Sequence, residues 1–219
     1  MRTVRSVVFS VFVTASCILH SGAAGALAPP VALDPVLLLS SARLDLSRVA
    51  NWNTTYRRHL VSVANPSASC LNVDCSDTWA TAVAHLAAVD PSRLLREVNR
   101  LVNSASYVAE VGATTDRWQT PVELFLNGGD CEDFAIAKFL LLRELGVRSE
   151  DMRILMLTAA NGIGAHSVLL VRTGTDVLIL DNRRPNPYRY TQRTASAVSY
   201  AFNDRMMWLP LTNIITAAI

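Results

Sequence analysis

Residues 128–146, which read GGDCEDFAIAKFLLLRELG, decide the fold of this chain. Two glycines break the preceding segment and apolar residues then recur at helical spacing, so the pattern predicts a helix that begins at Cys131 and ends at Gly146. Asp130 can cap this helix, and Asp133, three residues further on, can return a hydrogen bond to the cap. The cysteine therefore stands at the N-terminus of a helix.

The chain before this helix is predicted to be largely helical. Apolar residues at helical spacing indicate helices at about 51–63, 78–89 and 92–104. The stretch 114–127 is less regular, and 29–50 has the pattern of a loosely packed lead-in. The first half of the chain is thus expected to supply helices.

After Gly146 the apolar residues change from helical to strand-like patterning. Runs rich in Ile, Leu and Val at 152–158, 166–172 and 177–181 predict strands, and the segment 173–176 predicts a hairpin turn between the last two. Helices followed by an antiparallel sheet indicate an α+β fold. In that fold the helix carrying the cysteine packs on the sheet.

The first 28 residues have the three parts of a secretory signal peptide. A basic start precedes an apolar run at 7–19, and small residues with an A-x-A pattern follow. The run is short for a membrane-spanning helix, which needs about 20 residues, although an uncleaved anchor stays an alternative. We therefore expect a periplasmic location, with 29–90 as an N-terminal lead-in with helices and 91–219 as the core of one domain.

Charge and cysteine content narrow the function classes. Residues 1–28 hold two of the 20 basic residues and no acid, so the processed chain has 18 basic and 18 acidic residues. This balance predicts no nucleic-acid partner.

In an exported protein Cys70 and Cys75 either form a disulfide across a short loop or are two unpaired thiols. Cys131 is then a lone thiol and a candidate reactive group.

Cys131 has the setting of a catalytic nucleophile. The preceding glycines allow a sharp turn that exposes the thiol, and the positive end of the helix dipole favours thiolate. Backbone N–H groups at the same place can hold a developing oxyanion. The alternative is a small buried apolar residue, which is the common fate of a free cysteine.

A predicted hairpin brings a histidine and a carboxylate together. Its turn pairs Arg172 with Val177. In that register His166 is diagonal to Asp181 on one face of the sheet, at a backbone separation of roughly 7–8 Å. Asp181 can then orient the imidazole while His166 accepts the thiol proton of Cys131, so the three residues predict a Cys-His-Asp triad.

From about residue 94 to residue 210 the chain resembles the bacterial transglutaminase-like cysteine proteinases. The central motif is GDCEDFAIAK at 129–138. The other matching pieces are Val98-Asn99, Val102-Asn103, Trp118-x-x-Pro121-x-Glu123, Leu145-Gly146, His166-x-Val168-Leu169, Leu180-Asp181-Asn182, Asn203 and Trp208. The chain departs from the family at Ser167, where a bulkier residue is usual, and over 29–90, where little matches.

The resemblance implies a papain-like, transglutaminase-like core and thiol proteolysis by Cys131, His166 and Asp181. It also implies a periplasmic enzyme that cuts the N-terminal region of a large repeat adhesin next to paired alanines and so controls biofilm attachment. Some relatives are regulated by an inner-membrane receptor. Two alternatives stay open: a transglutaminase or amidase that uses the same thioester chemistry, and a binding protein that has lost activity.

The acids beside the cysteine predict a calcium site. Asp130, Glu132 and Asp133 oppose thiolate formation by like-charge repulsion, which a bound divalent cation would remove. Carboxylate oxygens suit Ca²⁺, and members of the resembled family bind it through the acids flanking the cysteine, here Asp130 and Glu132. The alternative is that these acids only cap the helix and interact with its dipole.

Two residues are candidates for the second oxyanion donor, beside the backbone N–H of Cys131. They are Trp118, through its indole N–H, and Gln119, through its side-chain amide. The alternative for Trp118 is an ordinary core position.

Overall fold

Six stretches of the chain are described by the computed structural model: 41–65, 68–109, 116–158, 165–174, 176–191 and 197–210. The predicted signal peptide lies outside the described residues. None of the helices in these stretches is long and apolar enough to cross a membrane.

Five α-helices are present in the described stretches. They are α1 Ala50–Ala64, α2 Trp79–Ala87, α3 Leu94–Val102, α4 Pro121–Asn127 and α5 Cys131–Glu144. The predicted first three helices and the cysteine helix are confirmed. α3 begins at Leu94 rather than at Ser92, because the Asp90 carboxylate accepts hydrogen bonds from the Ser92 N–H, at 2.8 Å, and from its hydroxyl. Those bonds hold 90–93 in a turn instead of a first helical turn.

α4 lies within 114–127, where the apolar residues follow a less regular pattern. Thr120 Oγ1 accepts from the Glu123 N–H at 3.2 Å, and Glu123 Oε2 accepts from the Thr120 N–H at 2.8 Å. Pro121 occupies the first helical position, where its missing N–H costs nothing. A reciprocal cap of this kind starts a helix of only seven residues, which is too short to show an apolar period.

A seven-stranded antiparallel sheet forms the second layer, in the order β1-β7-β6-β2-β3-β4-β5. Its strands are β1 Ser41–Leu44, β2 Met152–Leu157, β3 His166–Thr173, β4 Asp176–Leu180, β5 Tyr188–Arg189, β6 Val198–Phe202 and β7 Met207–Pro210. The α+β prediction is confirmed. The prediction that 29–50 is a loose lead-in is wrong for β1, which pairs with β7 at the sheet edge.

The predicted hairpin register is confirmed. Arg172 pairs with Val177, and Leu169 pairs with Leu180 at the far end of the ladder. Side chains alternate along β3. Leu169 and Val171 therefore enter the main core, while Val168 and Leu170 join a second apolar cluster on the other face. This register carries the chain to Asp181 directly after β4.

α5 is the buried centre of the fold. Its residues from 132 to 142 are all buried, and it packs against β2 and β3. Trp52 of α1 stacks edge-on against Phe139 of α5 and Phe202 of β6, with ring centroids 5.5 Å apart in both pairs. These contacts fix the N-terminus of α5 at one end of the sheet.

Cys70 and Cys75 form a disulfide, with their Cα atoms 4.8 Å apart. Of the two interpretations of this pair, the disulfide is therefore the one that the structure supports. Among the described residues Cys131 is the only free cysteine.

Candidate active site

Two glycines turn the chain into α5. Gly128 has a φ of +75°, and a Cβ there would lie 2.6 Å from Val108 Cγ2 and 2.7 Å from the Ser106 carbonyl oxygen. A Cβ on Gly129 would collide with the Asp133 carboxylate. Only glycine fits at both positions, so the sharp turn that places Cys131 first in the helix depends on them.

Asp133 organises the start of α5 as the sequence predicted. Its Oδ2 accepts from the Asp130 N–H at 3.0 Å, which returns the hydrogen bond to the cap. Its Oδ1 accepts from the Gln119 N–H at 2.7 Å. One buried carboxylate therefore joins the nucleophile helix to the segment before α4.

His166 and Asp181 form a buried pair. His166 Nε2 lies 2.8 Å from Asp181 Oδ1, and each residue is 5% exposed. The same carboxylate accepts from the Arg183 N–H at 2.8 Å and from the Tyr188 hydroxyl at 3.2 Å. Burial by itself would raise the pKa of Asp181, but the bonds from His166 and Arg183 bring it below its ordinary value.

The second nitrogen of His166 is unoccupied. His166 Nδ1 is buried and has no hydrogen-bond partner among the described residues. A buried ring nitrogen without a partner is uncommon, because it loses its interactions with water. Since Asp181 occupies Nε2, Nδ1 is the nitrogen left to exchange a proton with a neighbouring thiol.

The thiol lies beside the first residues of β3. The Cys131 Sγ–H donates to Glu132 Oε2 at 3.2 Å. Burial first, and then the Glu132 charge, raise the pKa of Cys131 to about 12, while hydrogen bonding from the N–H and hydroxyl of Ser167 lowers it in part. Ser167 directly follows His166, so the backbone of the histidine lies near the thiol, although the thiol hydrogen-bonds with Glu132 and His166 Nδ1 has no partner among the described residues.

Asp130 and Glu132 form a pair of interacting carboxyl groups. Burial, followed by the charge of Asp130 and a hydrogen bond with it, raises the pKa of Glu132 to about 8. No group of three or more His, Cys, Asp or Glu side chains suited to a metal occurs within the described stretches. The pair alone offers two carboxyl groups, so Ca²⁺ bound there would need carbonyl oxygens or water for the rest of its six to eight oxygen ligands.

The two candidate oxyanion donors are both engaged elsewhere. The Trp118 indole N–H donates to Asp116 Oδ2 at 3.0 Å, and the ring stacks on Phe202 in the core. Trp118 therefore occupies a core position, which was the alternative to a role as oxyanion donor. The Gln119 Nε2 donates to the Gly128 carbonyl at 2.9 Å, so this amide lies at the turn that precedes the cysteine.

Two asparagines of α3 support the loop that follows Asp181. Asn103 Nδ2 donates to the carbonyl oxygens of Asp181 and Arg184, each at 3.0 Å. Asn99 Nδ2 donates to the carbonyl of Arg184 at 2.9 Å and to that of Pro185 at 3.2 Å. Sequence analysis assigned neither asparagine a role beyond its place in the resemblance. The sequence pattern that could have identified them is a pair of asparagines four residues apart on an otherwise apolar helix stripe.

Tyr188 is a further residue that sequence reasoning did not assign to the site. Its hydroxyl donates to Asp181, and burial followed by the Asp181 charge raises the pKa of Tyr188 to about 12. The phenol therefore stays protonated and remains a donor to the carboxylate.

Comparison with known proteins agrees with this geometry. Residues 68–211, about two thirds of the chain, match the family described as bacterial transglutaminase-like cysteine proteinase. No curated protein sequence matches significantly.

Three structures of LapG from Legionella pneumophila, one of them EGTA-treated and one calcium-bound, are similar at 32% identity with a TM-score of 0.52. Each match covers 60% of this chain and 73–75% of the LapG chain. The chain thus belongs to the bacterial transglutaminase-like cysteine proteinases.

Proposed function

We propose that this cysteine proteinase is a periplasmic endopeptidase that uses Cys131, His166 and Asp181 as its triad. The observation that carries the proposal is the buried His166–Asp181 pair, whose imidazole keeps Nδ1 without a partner beside the strand residue that contacts the thiol. A base that is oriented on one side and free on the other is what a thiol nucleophile needs.

The proposed chemistry proceeds in two steps. His166 Nδ1 takes the thiol proton as the Cys131 sulfur bonds to the scissile carbonyl carbon, and the Cys131 N–H at the helix start stabilises the oxyanion. The proton passes to the leaving amine as the C–N bond breaks, which leaves a thioester. The same nitrogen then removes a proton from water as the water oxygen attacks the thioester carbonyl carbon. The C–S bond breaks, the carboxylic acid product leaves, and His166 returns the proton to the Cys131 sulfur.

Calcium dependence is part of the proposal, with Asp130 and Glu132 as the ligands from this chain. Bound Ca²⁺ would neutralise the carboxylate charge that opposes the thiolate. Two observations support this: the Asp130–Glu132 interaction that raises the pKa of Glu132, and the calcium-bound and EGTA-treated forms of the similar LapG.

The proposed substrate is the N-terminal region of a large repeat adhesin, cut next to paired alanines. The similarity to LapG supports this substrate class, and the signal-peptide pattern of 1–28 supports export. An inner-membrane receptor is the proposed regulatory partner. Cleavage of the adhesin would release attached cells.

The proposal is tested by incubating wild type and Cys131→Ala with a purified adhesin N-terminal fragment that contains an Ala-Ala pair, with Ca²⁺ or with EGTA. We expect one cut from wild type with Ca²⁺ and none from Cys131→Ala. Absence of thiol-dependent cleavage would contradict the protease. Cleavage that persists in EGTA would remove the calcium dependence alone, and incorporation of an added amine would favour acyl transfer.

A further inference from the structure

A cleft of about 310 Å³ lies next to the proposed nucleophile. It is lined by Asn103, Ala105, Tyr107, Phe134, Asn182 and Arg183. Phe134 is three residues after Cys131 on α5, and Asn182 and Arg183 directly follow the triad carboxylate. The cleft therefore lies between the helix that carries the thiol and the loop that carries Asp181, where part of a bound peptide would rest.

The walls of this cleft are held in place before any ligand binds. The Val108 N–H donates to the Gly129 carbonyl at 2.8 Å, and the Gly129 N–H donates to the Ser106 carbonyl at 3.1 Å. These bonds fix Tyr107 beside the turn before Cys131, with its ring centroid 6.4 Å from that of Phe134. A preformed wall reduces the conformational entropy that this segment of the protein loses when a peptide binds.

The charge at the cleft is positive on the side of Arg183. Burial first, and then the charges of Cys131 and Asp130, raise the pKa of Tyr107, whereas Arg183 lowers it, so the phenol lies between the acidic helix start and this guanidinium. Arg183 is exposed and makes no ion pair with any described residue. Its neighbour Arg184 instead lies over the Tyr188 ring at 4.6 Å. A carboxylate in the cleft would therefore find an unengaged arginine.

We propose that this cleft is a substrate subsite that selects an acidic side chain close to the scissile bond, with Arg183 binding the carboxylate. The inference rests on the proposed peptidase function and adds a substrate preference to it. A basic side chain would meet Arg183 at the same position and is disfavoured.

The test measures binding without cleavage, by fluorescence anisotropy of labelled peptides with Cys131→Ala in the presence of Ca²⁺. The peptides contain Ala-Ala, and each flanking position in turn carries Glu, Gln or Lys. At one flanking position we expect Glu to bind roughly fivefold more tightly than Gln, the upper end for a solvent-exposed ion pair, and Lys to bind more weakly than Gln.

Arg183→Gln in the same Cys131→Ala background should abolish the preference for Glu over Gln. The matched control is Arg189→Gln, which makes the same change in net charge at an exposed arginine that pairs with Asp176 instead. It should keep the preference. Equal affinities at every position, no binding of any peptide, or a preference that survives Arg183→Gln would overturn the inference.

Cleavage by the active enzyme separates the two proposals. An active enzyme that cuts Glu, Gln and Lys peptides equally well at every position would contradict the acidic subsite alone. An acidic binding preference without any cleavage would contradict the peptidase and leave the subsite supported.

Discussion

Lys138 is the only lysine of the chain, and it is buried in α5 two helical turns after the nucleophile. It is 1% exposed, and its Nζ lies 6.0 Å from the centre of the Phe134 ring. Burial lowers the pKa of Lys138 to about 7, although the Asp181 charge opposes this shift. Burying a charged ammonium group destabilises a folded protein, so Lys138 makes an unfavourable contribution to stability close to the proposed triad.

Replacing Lys138 by Met should stabilise the fold, and the gain should depend on pH. The pKa of Lys138 is lower in the folded chain than in the unfolded chain. The free-energy cost of burying its ammonium group is therefore largest below about pH 7 and decreases as the pH rises toward 10.5. Urea unfolding at pH 6 should show Lys138→Met more stable by on the order of 3 kcal/mol, and the difference should shrink by pH 10.

Arg143→Met is the control for this prediction, because it removes a cation from the same helix at a residue that pairs with Asp204. The guanidinium group of arginine keeps its charge in proteins. The effect of Arg143→Met on stability should not change between pH 6 and pH 10. A stability difference for Lys138→Met that is equally flat would show that folding does not lower the pKa of Lys138.

At the scale of elements, the entry into α5 depends on Gly128. Gly128→Ala introduces a side chain at positive φ and a Cβ that meets Val108 and Ser106 at under 3 Å. Thermal unfolding should show a loss of about 3 kcal/mol, together with slower alkylation of Cys131 because the turn must shift. Gly146→Ala isolates the φ effect, since Gly146 has a φ of +88° and open space around it, and should cost only about 1 kcal/mol.

This explanation requires that Gly128→Ala lose more stability than Gly146→Ala. If Gly146→Ala costs as much as Gly128→Ala, backbone strain alone accounts for both. In that case the close approach of the 106–108 segment to the turn contributes nothing.

Asn103, which directly follows α3, holds the backbone at Arg184 and at Asp181, the carboxylate of the proposed triad. Asn103→Ala should slow alkylation of Cys131 by iodoacetamide at pH 7 on the order of tenfold, because a displaced Asp181 no longer orients His166. Ser104→Ala is the control, since its hydroxyl bonds only within the same turn of chain, to Leu101. Unchanged alkylation in Asn103→Ala would show that the loop keeps its position without this amide.

Most elements and the contact between His166 and Asp181 could be predicted from sequence because their determinants are local. The short turn after β3 fixes the pairing of Arg172 with Val177, and that register alone places His166 near Asp181. The pairing of β1 with β7 joins residues at opposite ends of the described chain, and no local pattern encodes it. The bonds from Asn103 span 78 and 81 residues and were missed for the same reason.

For the whole molecule, the calcium proposal predicts a change in stability that does not depend on any substrate. A ligand that binds only the folded chain raises the free energy of unfolding by about 2.7 kcal/mol when its concentration is 100 times its dissociation constant. For a chain of 219 residues, this corresponds to a rise in melting temperature of roughly 5–10 °C. Differential scanning fluorimetry of wild type in Ca²⁺ and in EGTA measures it directly.

The double variant Asp130→Asn, Glu132→Gln should lose this calcium-dependent rise. In EGTA it should melt no lower than wild type, because the repulsion between the two carboxylates is gone. Asp176→Asn is the control, as this carboxylate is at the opposite end of β4 and pairs with Arg189. A calcium effect of equal size in the double variant would mean that the ion does not depend on Asp130 and Glu132, because both proposed carboxylate ligands are gone.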